Sequence, residues 1–292
     1  MIKKLALIIT LFVSGCAYTP EFSAAKLTDE ERKDVLLSKL KLAGVQQDFI
    51  DMIFKSPRFK LDSKYIKMSV LIFKLKSDYT QFLQGYVVAN GRLFLKKYRK
   101  VFAKVEKIYG VPKEVITALI SVETRLGRNT GSENIASVFF SLAMADQEDI
   151  CKSLVAEVED DMKPKIPERC QRKADWARGE ILSLQDMYIK RSIPVGQLSG
   201  SFAGAFGLPQ FVPSSFMKWA SPGPSNDRLD LYEADDAITS VANYLKVNGW
   251  TINTDEQRAA LFHYNRSQDY GNTILQLAEL LKAKPVSKKK KI

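Results

Sequence analysis

A single carboxylate in the last turn of a helix is the strongest chemical signal in this chain. Residues 111–127, Val-Pro-Lys-Glu-Val-Ile-Thr-Ala-Leu-Ile-Ser-Val-Glu-Thr-Arg-Leu-Gly, read as a helix with Pro112 at its first position and Gly127 as its C-terminal cap. Val115, Leu119 and Val122 recur at helical spacing and mark a buried face, and Glu123 follows directly on it. At that end of a helix the partial negative charge of the terminus disfavours an ionised carboxylate, and apolar neighbours add a desolvation cost. Both effects raise the pKa of Glu123, as a general acid working near neutral pH requires. A glutamate at a helix end is otherwise a solvated surface charge, so the rest of the chain has to decide between the two.

Residues 200–215, Gly-Ser-Phe-Ala-Gly-Ala-Phe-Gly-Leu-Pro-Gln-Phe-Val-Pro-Ser-Ser, form the second informative segment. Three glycines and two prolines among aromatics suit an irregular loop whose backbone approaches a ligand while Phe side chains anchor it. Ser201 and Gln210 are polar positions in an otherwise apolar stretch, the composition of a sugar site. Packing of helices through Gly200 and Gly204 is the alternative. The segment lacks the Gly-Lys-Ser/Thr ending and the preceding strand of a phosphate loop.

The elements that must position these residues are mostly helices. Thr28-Asp29-Glu30-Glu31 is a capping box, with Val35, Leu36 and Leu40 continuing at helical spacing until Gly44. A second helix is expected over 46–54, and further helical patterns cover 63–75, 92–109, 176–190, 235–248, 255–263 and 271–282. Pro- and Gly-rich irregular sequence falls at 163–170, 192–213 and 221–227. Alternating strand patterns are scarce and no internal repeat is present. The expectation is one mainly α domain over 28–282, with few or no strands and ample length for a core.

The N-terminus suggests the compartment. Lys3 and Lys4 precede an apolar run from Leu5 to Val13 and then Val13-Ser14-Gly15-Cys16, the pattern of a secretory signal, too short to cross a bilayer. The cysteine after small residues resembles a bacterial lipobox, which implies acylation of Cys16 and removal of 1–15. Ala17 after it implies the outer membrane by the same resemblance. An ordinary signal peptide containing a cysteine is the alternative. Residues 16–27 then serve as a tether. Cys151 and Cys170 remain, an even pair that in an exported protein suits a disulfide across 18 intervening residues, with two buried thiols as the other reading. No Cys-x-x-Cys occurs and His263 is the only histidine, so no metal site or cofactor is expected, and His263 reads as a packed side chain.

The formal net charge is +11, falling to +9 without Lys3 and Lys4. Six lysines lie in the last eleven residues, so most of the excess belongs to a solvating, disordered tail over 283–292 or to a contact with anionic envelope polymers. Export argues against a nucleic-acid partner.

Three motifs in order, Val-Glu-Thr-Arg-Leu-Gly at 122–127, the 200–215 loop, and Asp236 to Leu245 before Asn248-Gly249-Trp250, resemble the membrane-bound lytic murein transglycosylase B family over residues 30–280. The resemblance implies a lysozyme-like helical fold with a deep sugar-binding cleft, and cleavage of the MurNAc–GlcNAc β-1,4 bond of peptidoglycan strands. It makes Glu123 the single acid/base, sets Ser201 and Gln210 to hydrogen-bond the sugar, places Tyr244 in the cleft lining and gives Asn265 a substrate-orienting role. Residue by residue, Tyr244 could equally be core, Ser201 a turn residue, Asn265 a helix cap, and Arg125 a partner in a structural ion pair. The implied mechanism is protonation of the glycosidic oxygen by Glu123, helped by the N-acetyl group, followed by closure of a 1,6-anhydro ring with Glu123 as base.

Two departures from the family stand out. The loop Ser221 to Asp230 stands where some members carry a calcium loop, and Pro222 and Pro224 replace oxygen-bearing side chains, so no calcium site is expected. Met144-Ala145-Asp146-Gln147-Glu148-Asp149 stands where the family carries a proline and two arginines facing the stem peptide, reversing the charge. That segment either faces solvent, rebuilt around the cysteine pair, or favours a cation such as the amine of de-N-acetylated glucosamine. Asp146, Glu148 or Asp149 could also be the second carboxylate of a hydrolytic lysozyme. A wall-binding lipoprotein without turnover is the non-enzymatic alternative.

Overall fold

Helix formation begins where the sequence supplies caps. In the computed structural model, which describes residues 27–72, 78–224 and 228–283, Thr28 and Glu31 close a reciprocal capping box and α1 follows over Asp29–Leu42. The signal, Cys16, nearly all of the tether and residues 284–292 of the tail lie outside the described residues.

Two short helices, α2 (Gln47–Phe54) and α3 (Ser63–Leu71), complete the N-terminal layer. The helical pattern expected over 92–109 is two helices, α4 (Gly85–Lys97) and α5 (Arg99–Tyr109), because Tyr98 takes a non-helical conformation between them. Helix α6 (Lys113–Thr124) then runs through the interior, with Val115 to Ser121 buried on every face. After α7 (Ile135–Leu142) and α8 (Glu148–Ala156) comes α9 (Ile166–Arg191), the longest element at 26 residues and about 39 Å. Its first turns fall in sequence expected to be irregular. Pro167 sits in the first turn, where a missing N–H costs nothing, so it starts the helix rather than breaking it.

The remaining helices are α10 (Pro213–Trp219), α11 (Ala234–Val247), α12 (Thr254–Tyr264) and α13 (Gln268–Lys282). Among the described residues the only sheet pairs β1 (Glu133–Asn134) with β2 (Ser199–Gly200), antiparallel, with Glu133 opposite Gly200. The fold is therefore mainly helical. No helix among the described residues is long and apolar enough to cross a membrane.

Packing separates two groups, one around α6 and one around α9. Helix α6 meets α13, α4 and α11, while α9 meets α7, α10, α8 and α3. Phe49, Phe102, Phe139, Phe140 and Tyr270 are among the largest fully buried side chains. Burial of each contributes on the order of 2–3 kcal/mol. His263 is exposed in the last turn of α12, contrary to the packed position expected. There a cationic or dipolar side chain suits the helix terminus, and α12 turns Leu261 inward instead.

Cys151 of α8 and Cys170 of α9 are both thiols, so the expected bridge is not formed here. The two do meet. The Cys170 thiol is 1 % exposed and hydrogen-bonded to that of Cys151, and burial pushes its pKa up.

In the 221–230 loop, whose residues 225–227 lie outside the described set, Asp236 accepts from the Gly223 and Asp230 N–H groups, each at 2.6 Å. Asp230 in turn accepts from the Tyr232 N–H at 2.9 Å. These carboxylates brace backbone, a use that competes with holding a cation.

Candidate active site

Helix α6 ends at Thr124, one residue after Glu123. Arg125, Leu126 and Gly127 follow with φ of 52°, 62° and 86°, three successive left-handed residues. Pro112 is the N-cap and Arg125 the C-cap, so the helix starts one residue later than expected from sequence and its cap falls two residues before Gly127. For Arg125 and Leu126 this backbone costs roughly 1 kcal/mol or more each, and such strain persists only where surroundings over-determine it. Thr124 supplies the constraint: its hydroxyl donates to the Leu208 carbonyl at 3.0 Å and accepts from the Gly127 N–H at 3.0 Å.

Leu208 belongs to the second sequence motif, so the 200–211 loop is built directly on the segment that follows Glu123. Gln210, itself at φ 53°, donates its side-chain amide to Thr130 O at 3.1 Å and to Gly207 O at 2.9 Å. Gly131, at φ 87°, lets β2 approach so closely that a Cβ there would lie 2.1 Å from the Gly200 oxygen. Ser201 Oγ accepts from the Ala205 N–H at 3.2 Å. The Tyr264 hydroxyl donates to Pro209 O, tying α12 to the same loop.

Glu123 lines a cleft of about 410 Å³ together with Asp78, Tyr79, Gln81, Phe82, Val122, Asn265 and Tyr270. The residue is half-buried, open to the cleft and enclosed by protein elsewhere. Loss of solvent raises its pKa to about 7, and a hydrogen bond from the Tyr270 hydroxyl to Oε1 at 2.6 Å opposes that rise. The phenol of Tyr270 is itself raised well above the ordinary tyrosine value, first by burial and then by the nearby Glu123 charge, so it stays a donor. With Oε1 accepting from Tyr270, Oε2 is the oxygen left to carry a proton when the carboxyl is neutral. Among the described residues, no lysine or arginine lines this space.

Aromatic rings hold Tyr270 in place. It stacks on Tyr264 with centroids 6.4 Å apart and meets Tyr79 edge-on at 5.9 Å. Tyr264 packs on Tyr244 at 4.6 Å, and Tyr244 on Trp219 at 4.5 Å. For Tyr244 the sequence left cleft lining and core as equal readings, and the structure places it in the core. It is 5 % exposed and absent from the cleft lining, because α11 directs it into this aromatic column behind the site.

Asn265 caps α12 and lines the cleft, in agreement with both of its sequence roles. Ser201 and Gln210 lie in the loop clamped beside Glu123 but do not line the same space. Arg125 reaches Gln81 at 3.5 Å rather than an acid, since the left-handed turn points it outward, where it is exposed.

The acids at 146–149 are not in this cleft. Asp146, 4 % exposed, pairs with Lys39 at 2.9 Å and Arg178 at 3.1 Å, and Asp149, 8 % exposed, with Arg32 at 2.7 Å. Glu148 pairs with Lys152 at 2.6 Å. Their charges join α1, α8 and α9, so of the two readings open from sequence the substrate-facing one is not met: each acid pairs with a cation of the fold, Asp146 and Asp149 buried and Glu148 facing solvent.

Tyr270, Tyr79 and Asp78 were missed by sequence reasoning. Tyr270 is 147 positions from its partner Glu123, and no local pattern joins them. The one available signal was Ser267, which caps α13 and fixes Tyr270 in its first turn.

Residues 28–261 match the Transglycosylase SLT domain family. Membrane-bound lytic murein transglycosylase B of Escherichia coli (strain K12) is 32 % identical over 163 residues, which span 56 % of this chain and only 38 % of that protein. Lytic transglycosylase SltB1 of Pseudomonas aeruginosa superposes with a TM-score of 0.67 at 21 % identity, covering 87 % of this chain and 98 % of that one. Pseudomonas aeruginosa SltB3, solved with NAG-anhNAM-pentapeptide, gives a TM-score of 0.66 at 17 % identity over 87 % and 79 % of the two chains. These structures share the helical fold. With the family matched over residues 28–261, most of this chain, and the fold in common with solved lytic transglycosylases, the chain belongs to the Transglycosylase SLT domain family.

Proposed function

We propose that this protein is a peptidoglycan lytic transglycosylase that cleaves the MurNAc–GlcNAc β-1,4 bond with Glu123 as its single acid/base. The observation that carries the reading is the Glu123 carboxyl at the cleft, raised to about 7 by burial and held by Tyr270. A protonated acid at neutral pH has no use in a protein that only retains glycan. The family, the E. coli relative and the SltB3 complex with NAG-anhNAM-pentapeptide support the same substrate class.

In the first step Oε2 gives its proton to the glycosidic oxygen as the C1–O4 bond breaks, and the N-acetyl group supports the positive charge at C1. The carboxylate so formed keeps the Tyr270 hydrogen bond, which is stronger to a charge than to a neutral acid. In the second step the C6 hydroxyl of the same sugar bonds to C1 and returns its proton to Glu123. The ring closes, no water is consumed and the enzyme is restored. Acid–base assistance of this kind contributes roughly 10²–10⁴-fold. Gln210 and Ser201 act on the sugar from the loop beside the acid, Asn265 orients it from the cleft wall, and Tyr244 acts through Tyr264 and Tyr270.

In the same reading the protein works in the cell envelope, anchored through a lipid on Cys16 to the outer membrane and facing the periplasm. There Cys151 and Cys170, already in contact, would close as a disulfide.

Mass spectrometry of soluble products from purified peptidoglycan tests the central claim. Anhydro-muropeptides from the wild type and none from Glu123→Gln are expected. Undiminished lysis by Glu123→Gln would overturn the assignment.

A further inference from the structure

Glu123 shares its cleft with a second carboxylate. Asp78 lines the same space of about 410 Å³, beside Tyr79 at the start of the short helical turn Thr80–Leu83. Its Oδ1 accepts from the Thr80 N–H at 2.9 Å and from the Thr80 hydroxyl at 2.7 Å. Its Oδ2 takes no hydrogen bond, and no cation pairs with Asp78, among the described residues. Among the described residues, the titratable side chains lining the cleft are Asp78, Tyr79, Glu123 and Tyr270, and none of them is basic. An exposed carboxylate that pairs with no cation among the described residues therefore shares the cleft with a carboxyl group that burial keeps partly protonated.

The environments of the two carboxyl groups diverge. Hydrogen bonds from Thr80 hold Asp78 below the usual carboxylate range, whereas burial holds Glu123 at about 7. Two carboxyl groups separated in this way are one proton acceptor and one proton donor at neutral pH. Inverting glycosidases seat a water between two such groups about 6.5–9.5 Å apart. The acids at 146–149 cannot serve, because Arg32, Lys39, Lys152 and Arg178 already hold them.

This inference rests on Glu123 being the acid. We propose that Asp78 is a base that admits water to the same site, so that a share of turnovers ends in hydrolysis instead of ring closure. In that branch Asp78 takes a proton from water and the water oxygen bonds to C1. The C1–O4 bond breaks and O4 takes the Glu123 proton. Asp78 leaves the turnover neutral and Glu123 ionised, and solvent exchange restores both. The product carries a reducing end and is one water heavier than the anhydro sugar. Which product forms depends on whether water or the C6 hydroxyl reaches C1 first.

The test is digestion of purified peptidoglycan in ¹⁸O-water by the wild type, Asp78→Asn and Glu123→Gln. Wild type is expected to give unlabelled anhydro product together with reducing-end product carrying one ¹⁸O at C1. Asparagine keeps the carbonyl oxygen that accepts from Thr80, so Asp78→Asn preserves the turn while removing the base. The labelled share of its products is expected to fall roughly 100-fold or more. An unchanged labelled share, or no labelled product from the wild type, overturns the role of Asp78 and leaves that of Glu123 standing. Both products persisting in Glu123→Gln would instead remove Glu123 as the acid, and this proposal with it.

Discussion

The hydroxyl of Tyr270 donates to Glu123 Oε1 at 2.6 Å, joining the first turn of α13 to the last turn of α6 across 147 positions of sequence. Of the influences on Glu123 it is the one that favours the ionised form, and burial is the one that opposes it. Replacing Tyr270 with Phe keeps the ring stacked on Tyr264 and removes only the donor. The pKa of Glu123 then rises further, and the alkaline limb of the pH–rate profile moves to higher pH. The carboxylate formed after proton delivery also loses a charge-assisted bond of about 1.5–3 kcal/mol, so kcat falls roughly ten- to a hundredfold. Full pH–rate profiles of wild type and Tyr270→Phe check this. A limb that stays in place or moves down would show that the bond does not govern the acid.

The same raised pKa makes Glu123 a cost to stability, and the cost has a definite pH window. Its ordinary value is 4.5 and its folded value about 7. Between these values the folded state binds more protons than the unfolded state, so this contribution to stability declines as pH rises from about 4.5 to about 7 and is lowest above 7. Glu123→Gln removes the titration while keeping an oxygen for Tyr270. The variant is expected to be more stable than wild type at pH 8 by up to about 3 kcal/mol, with the gap closing by pH 4.5. Denaturant melts at both pH values decide it, and a gap that does not depend on pH would refute it.

What was legible in the sequence was whatever short spacing encodes. The Thr28–Glu31 box, the buried face of α6 and the position of Glu123 in its last turn are all local, and the structure places them within a residue of the reading. The 200–211 loop could be recognised as a site by composition. Its attachment to the Glu123 turn through Thr124 and Leu208 could not, since a side chain bonding to a backbone carbonyl 84 positions away leaves no pattern. Tyr244 shows a second limit: helical spacing says that an aromatic lies on an inner face, and does not say whether that face is core or cleft. The acids at 146–149 show a third. Their charges looked available only because Arg32, Lys39 and Arg178, which neutralise them, are distant in the chain. Charge that is unpaired locally is not unpaired in the fold.

Gly131 is where the loop and the acid are registered. Its φ of 87° strains any residue with a Cβ, and that Cβ would lie 2.1 Å from backbone oxygen of Gly200. Backbone on both sides leaves nothing flexible to give way, so β1 and β2 must separate. Gly131→Ala is expected to cost about 2–4 kcal/mol and to raise KM by loosening the loop. Thermal melts and steady-state kinetics measure both, and a variant that melts with wild type would show that the close approach is not needed.

Asp146 is predicted to matter for stability and not for chemistry. Replacement by Asn leaves Arg178 and Lys39 facing a neutral group at a site only 4 % exposed on the acid side. Breaking one side of such a buried cluster costs about 3–5 kcal/mol. Asp146→Asn is expected to lower Tm while leaving the ratio of hydrolytic to anhydro product unchanged, the opposite pattern to Asp78→Asn. A shifted product ratio at wild-type Tm would return Asp146 to the active site.

The cysteine pair yields the last prediction. Cys151 is partly exposed on α8, while Cys170 is buried on α9 with its thiol pKa raised, so oxidation has one accessible entry. A disulfide-bearing oxidant takes the Cys151 thiolate first, and Cys170, already in contact, displaces it. Two thiols are oxidised and the donor disulfide is reduced. Closing the 18-residue loop contributes about 3 kcal/mol, because the unfolded chain loses freedom that the folded chain has already given up at this contact. Protein isolated from an exporting cell should resist maleimide labelling until a reductant is added. Its Tm should then fall by several degrees, and Cys170→Ser should melt with the reduced form. Complete labelling without reductant would mean that the pair works as packed thiols, held together by burial alone.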